Sequence, residues 1–232
     1  MLRKTVSVIY TAAGKTIEVH NVQIGSLLDI FVPIKISTLS ELKFANSKLT
    51  AEELEMICPL IPQNLALLDL SNLSLNAKAI SVLAKRINYS HIQSLDLSNN
   101  PIGDESIWIL LEAIGKNQDL TSLILVNCNL SGNGIWTLFN VIAEKKFDFL
   151  DISENLIMSN GSDYVLNFLK QDPDIRELHI DRAQLSEGDV DVLVDAAEKS
   201  RKLQVFSVRG NSLIRYRTFS PKILVDRLPI MK

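Results

Sequence analysis

Ile92-Gln93-Ser94-Leu95-Asp96-Leu97-Ser98-Asn99-Asn100-Pro101-Ile102 sets four apolar residues and one asparagine at fixed intervals. The pattern, apolar-x-x-Leu-x-Leu-x-x-Asn-x-apolar, returns along most of the chain. Its first apolar position falls at Leu39, Leu65, Ile92, Leu120, Phe147, Ile175 and Leu203, so successive units are 26, 27, 28, 27, 28 and 28 residues long. A unit of that size has one apolar face that it cannot bury alone, and stacking it on its neighbours makes a continuous core. The 232 residues are therefore expected to form one elongated body, although length alone would permit two domains.

The segment between motifs reads as a helix. Counted from the last apolar motif position, apolar residues recur at offsets of five, eight, nine and twelve, as in Ile107, Leu110, Leu111 and Ile114 and again in Ile135, Leu138, Phe139 and Ile142. That stripe is the buried face of an amphipathic helix. Thr50-x-x-Glu53 and Ser186-x-x-Asp189 have the capping-box spacing of a helix start. Pro59 and Pro62 shorten the first helix and Pro173 limits the fifth.

A strand-then-helix unit of this length resembles the ribonuclease-inhibitor-like class of leucine-rich repeats, over residues 39 to 213. The resemblance implies an α/β fold, a right-handed solenoid or horseshoe with a parallel sheet on its concave side and helices on its convex side. It also implies that the motif's ninth position, asparagine or cysteine in the family, forms a buried ladder that satisfies the turns. Here that position carries Ser47, Leu73, Asn100, Cys128, Asn155, Ala183 and Asn211. The side chains of Leu73 and Ala183 cannot hydrogen-bond, so their turns need other partners.

Both ends depart from the motif. Val6–Tyr10 and Thr16–Val19 are β-rich runs around Thr11-Ala12-Ala13-Gly14, the pattern of a hairpin. Residues 1–38 are expected to cap the array, with Ile17, Val19 and Ile24 letting the second hairpin strand double as the array's first. Residues 214–232 carry Arg215, Arg217, Lys222, Arg227 and Lys232 among Phe219, Ile223, Leu224, Val225 and Leu228, a basic tail with enough apolar surface to close the last repeat. Cap, repeats and tail read as one structural domain.

Composition narrows the function. An apolar fraction of 47% with 22% charged residues belongs to a folded chain, and a net charge of −3 gives no general attraction to nucleic acid or anionic lipid. Cys58 and Cys128 lie in different repeats without a Cys-x-x-Cys or Cys/His cluster, which indicates neither disulfide framework nor metal site and fits a reducing compartment. With no secretory signal and no run of apolar residues long enough to span a bilayer, the expectation is a cytoplasmic monomer without membrane span or cofactor.

Functional residues should lie on the concave sheet, where alternate strand residues leave the core. The fifth motif position runs Lys43, Asp69, Asp96, Ile124, Asp151, His179, Ser207. Its neighbours add Asn99, Val126, Phe149, Arg182 and Arg209. The face is acidic in its middle repeats and mixed to basic at its end, and Asp148–Arg176, Asp151–His179, Glu154–Arg182 and Asp181–Arg209 are expected as cross-strand pairs. Ile124, Val126 and Phe149 form an apolar patch between acidic flanks, the anatomy of an interface centre. His179 beside Asp151 has no nucleophile motif, phosphate loop or third orienting group, so no catalytic residues are assigned. On the helices, Trp108 and Trp136 share one offset and are expected to stack between neighbours. Met56, Val82, Ile109 and Val192 lie on the outer side.

These readings point to a non-catalytic protein-binding scaffold whose concave face carries Asp69, Asp96, Asn99, Ile124, Val126, Phe149, Asp151, His179, Arg182 and Arg209. Two alternatives come from the resemblance. The repeat class includes Ran GTPase-activating proteins, which implies a regulator of a small GTPase, and similar repeats occur in bacterial effectors delivered into host cells.

Overall fold

A computed structural model describes residues 5–11, 14–20, 39–45, 49–212 and 220–226. Ten strands form one sheet in which spatial order follows chain order: β1 (Thr5–Thr11), β2 (Gly14–His20), β3 (Leu39–Ala45), β4 (Leu67–Asp69), β5 (Ser94–Asp96), β6 (Ser122–Ile124), β7 (Phe147–Asp151), β8 (Ile175–His179), β9 (Val205–Ser207) and β10 (Ile223–Leu224). Six helices connect them: α1 (Ala51–Ile57), α2 (Ala77–Ile87), α3 (Gly103–Lys116), α4 (Gly132–Ile142), α5 (Met158–Lys170) and α6 (Glu187–Lys199).

β1 and β2 form the expected hairpin, antiparallel from Thr5↔His20 to Thr11↔Gly14. Every later pairing is parallel. β2 lies beside β3 with Ile17 opposite Leu42 and Val19 opposite Phe44, so the second hairpin strand is also the first strand of the parallel array. Ile24 lies outside the described residues, as do Arg215, Arg217, Phe219, Arg227, Leu228 and Lys232. At the far end, β10 adds parallel to β9, Ile223 is buried and Val225 packs on the core.

The core is the motif read in three dimensions. Leu68, Leu95, Leu123, Leu150 and Leu178 align strand to strand and are fully buried, and the helix stripe of Ile107, Leu110, Leu111 and Ile114 meets them from the other side. Both capping boxes form: Thr50 with Glu53 on α1 and Ser186 with Asp189 on α6. α1 gives way to a 3₁₀ turn at Cys58–Leu60, because Pro59 supplies no N–H. Both cysteines are free and buried, and burial pushes the Cys58 thiol up to about 11 and the Cys128 thiol up to about 12.

The ladder explains how Leu73 and Ala183 are tolerated. Asn100 Oδ1 accepts from the backbone of Leu73 and Leu75, at 3.2 and 3.0 Å, while its Nδ2 donates to Leu70 O and Leu97 O at 2.9 and 2.8 Å. Each asparagine thus serves its own turn and that of the preceding repeat. Asn155 does the same for Cys128 and Leu130, and Asn211 for Ala183 and Leu185. An asparagine on every second repeat is sufficient, since each one faces both ways.

The helix starts alternate in step. Where the ninth position is Asn100 or Asn155, the helix that follows, α3 or α5, has no side-chain cap. Where it is Leu73, Cys128 or Ala183, the next helix is capped by Asn76, Ser131 or Ser186. Two kinds of unit therefore alternate along the array.

Candidate binding surfaces

The sheet brings the expected concave residues into columns. Asp69 lies opposite Asp96, Asp96 opposite Ile124, Ile124 opposite Asp151 and Asp151 opposite His179. In the adjacent column Ser122 faces Phe149 and Phe149 faces Glu177. Ile124, Val126 and Phe149 are each half-buried and sit at the middle of the face.

Many polar groups on this face are committed to their own turns. The carboxylates of Asp69, Asp96 and Asp151 accept from the backbone N–H two residues on, at Ser71, Ser98 and Ser153, over 2.9, 2.8 and 2.9 Å. They close the turn that ends each strand, as short polar side chains do. Burial pushes the Asp96 carboxyl above its ordinary range; the hydrogen bonds from Ser98 oppose this, and the Asp69 and Asp151 charges add to it.

Asn99 has a structural reason to be asparagine. Together with Asn72, Asn127, Glu154, Arg182 and Gly210 it occupies the eighth motif position, where the backbone is left-handed with φ between 50° and 68°. Asparagine and glycine tolerate that region best. Asn99 remains exposed, and its side chain accepts from Asn127 Nδ2 at 2.9 Å.

Of the four expected cross-strand pairs, two form as ion pairs. Arg176 meets Asp148 at 3.3 Å, and the Arg182 guanidinium donates from Nε and Nη2 to one oxygen of Glu154. The other two are rearranged. His179 lies opposite Asp151, but its Nε2 is 3.6 Å from Glu177 on the same strand, and its ring is 5.1 Å from Phe149, centroid to centroid. Residues i and i+2 share a strand face, so Glu177 competes directly with the cross-strand partner. Arg209 binds Asp181 through its backbone N–H at 2.7 Å, and the Ser207 hydroxyl takes the same Asp181 oxygen at 2.6 Å.

The helical face departs from expectation. Trp108 on α3 and Trp136 on α4 are not buried between helices; they leave 54% and 52% of their surface exposed. Val82 and Ile109 pack against the core, while Met56 and Val192 are exposed. Between α4 and α5 lies a groove of about 340 Å³ with Trp136 and Tyr164 on its walls. The sequence signal for it was present in the 28-residue spacing of Trp108, Trp136 and Tyr164, although their exposure was not readable.

Short parallel strands, β3 to β8 each followed by a helix on the opposite layer, with an asparagine ladder joining the repeats, define a leucine-rich-repeat solenoid with units of the ribonuclease-inhibitor-like kind. The family profile described as Leucine Rich repeat matches residues 90–107, which contain the Ile92–Ile102 motif. The mouse ribonuclease inhibitor is 29% identical over 140 residues, covering 58% of this chain and 31% of that protein. A Rho GTPase-activating protein of Dictyostelium discoideum is 23% identical over 172 residues, covering 69% of this chain and 15% of that protein. The chain thus spans a third or less of the length of these relatives. A chain of the yeast Rad7–Elc1 complex superposes with a TM-score of 0.52 at 16% identity, covering 88% of this chain and 64% of that chain, a likeness of fold. None of the described helices is long and apolar enough to cross a membrane.

Proposed function

We propose that the protein is a non-catalytic scaffold that binds a protein partner on its concave sheet. The carrying observation is the half-buried apolar centre of Ile124, Val126 and Phe149, set between Asp69 and Asp96 on one side and Asp151, His179, Arg182 and Arg209 on the other. Most flanking charges have a local partner that fixes them at the rim, while the apolar centre gains by being covered. Asn99 stands at the rim of the same face.

Phe149→Ala with Ile124→Lys removes the centre while leaving the Asp-closed turns untouched. Affinity capture followed by mass spectrometry should then lose a partner that the unaltered chain and a Trp108→Ala chain both retain. If the concave variant keeps every partner and the helix-face variant loses them, the assignment to this face is wrong.

A second reading, regulation of a small GTPase, is favoured by the Dictyostelium relative, whose match extends along 69% of this chain. A turnover assay on a panel of small GTPases tests it, and acceleration of any one would displace the scaffold reading.

A further inference from the structure

The groove between α4 and α5 has no part in concave binding, and its construction is specific. At their first turns the two helices meet backbone to backbone: a Cβ on Gly132 would lie 3.1 Å from the Cα of Gly161, and the converse distance is the same. Toward their C-terminal ends, the rings of Phe139 and Phe168 stack at 4.2 Å. The groove of about 340 Å³ opens over these stacked rings. Trp136 and Tyr164 line it together with the amides of Asn140, Asn167 and Gln171, and Glu144 is the one charged group among the lining residues.

That chemistry selects a ligand. With no cation in the lining, the groove has nothing to hold a phosphate or carboxylate. An amphipathic helix needs an apolar trough, and amides occupy much of these walls. The Gln171 amide already donates to Asn167 O at 3.2 Å, and aromatic faces with the neutral amides of Asn140 and Asn167 between them suit a chain that offers apolar rings and unsatisfied carbonyl groups. A polyproline II segment does so, because it makes no internal hydrogen bonds.

The spacing agrees. Packed helices lie about 8–10 Å apart, so residues on successive helices, as Trp108, Trp136 and Tyr164 are on α3, α4 and α5, recur at about that period. A polyproline II helix has three residues per turn at 3.1 Å each, so every third residue returns to one face after about 9 Å. A segment crossing the helices would bring successive prolines onto successive rings. A basic residue at one end would meet Glu144.

We propose that the α3–α4–α5 face binds a proline-rich segment of a partner protein in the polyproline II conformation, with one proline seated between Trp136 and Tyr164 and a flanking arginine or lysine on Glu144.

The chain has two tryptophans, both in this row, so their emission reports on the site directly. The probe is a synthetic oligoproline peptide ending in arginine, titrated into the purified full chain, with an alanine-glycine peptide of equal length and a cello-oligosaccharide as comparators. The expected result is a saturable change in emission for the oligoproline alone. Trp136→Ala and Tyr164→Ala should each weaken binding by about tenfold or more, with Trp108 still reporting. Glu144→Gln should weaken the arginine-tagged peptide by only a few fold, and Phe149→Ala on the concave face should leave the affinity unchanged. No saturable change in chain whose circular dichroism is that of the folded protein would overturn the proposal. So would an equal response to the alanine-glycine peptide, undiminished binding in Trp136→Ala, or saturation by the sugar in place of the peptide.

Discussion

The concave and convex faces are built from the same repeat yet treat their side chains differently. On the concave face the strand residues that point outward are also the nearest groups to the turn that follows. Asp69, Asp96 and Asp151 bond to that turn, and Glu154, Arg182 and Asp181 bond to one another or to the neighbouring strand. On the convex face helix backbones are satisfied internally, so outward side chains are released from that duty. Trp108 and Trp136 are accordingly left half in solvent. A regular column of charges on a sheet is therefore weaker evidence of a binding site than a row of exposed aromatics on helices, because the turns give the column a reason of its own.

The comparison predicts unequal consequences. The largest should come from the ladder: Asn100→Ala strands several buried backbone groups at about 1–3 kcal/mol each, and unfolding in urea should show a loss of about 4 kcal/mol. Asn99→Gly, one residue away, should change stability by less than about 0.5 kcal/mol, since glycine accepts the left-handed backbone. Next, Phe139→Ala should cost about 3 kcal/mol and Trp136→Ala about 1 kcal/mol or less, because the first ring is buried and the second mostly wet. Equal costs would mean that the tryptophan is a packing residue and that the two faces do not differ as argued.

Gly161→Ala should cost about 2 kcal/mol, as its Cβ would sit 2.6 Å from Ile157 Cγ2 and 3.1 Å from the Gly132 backbone. Calorimetry of this variant against Gly115→Ala, whose Cβ meets only Val141 at 3.3 Å, isolates the close approach that shapes the groove.

The smallest effects concern pH, and the two faces give opposite signs. On the helical side burial works against the charge of Asp189, but the hydroxyls of Ser162, Ser186 and Ser159 outweigh it and bring its pKa to about 2. Its contribution is present above the ordinary carboxyl value near 3.8 and is lost as pH falls through about 2. The melting temperature of the unaltered chain should therefore drop toward that of Asp189→Asn over this window. On the concave side the Asp96 pKa is raised, so its ionised form counts against folding. Asp96→Asn should melt higher than the unaltered chain at neutral pH, and the gap should close as the pH falls below the ordinary carboxyl range.

Much of this architecture was legible in the residues. The spacing of Leu95, Leu97 and Asn100 located the strands, and Ile107, Leu110, Leu111 and Ile114 located the helix opposite them, because a period of two and a period of 3.6 leave different traces. The concave columns followed from the same alternation. Less legible was what each member of a column does. His179 turned to Glu177 and Phe149, although Asp151 lies opposite in register, and such choices depend on rotamers and on distances of a few ångströms. The tryptophans depart from expectation for a related reason: their offset borders the buried stripe, and whether a large ring at that edge goes inward depends on the room left by the next helix.

The order of apolar residues determined the repeat, its direction and its core, since burying a leucine every few residues admits one solution per unit and the units must stack alike. The asparagines told where turns would need help. Only the stacked structure decided that each asparagine would serve two repeats, that glycines on neighbouring helices would meet, and that a groove would open over Phe139 and Phe168. Those outcomes depend on contacts between residues 27 to 31 positions apart, as between Asn100 and Leu73 or Cys128 and Leu97. Sequence periodicity specifies that such contacts occur, and the packing of unequal side chains specifies their geometry.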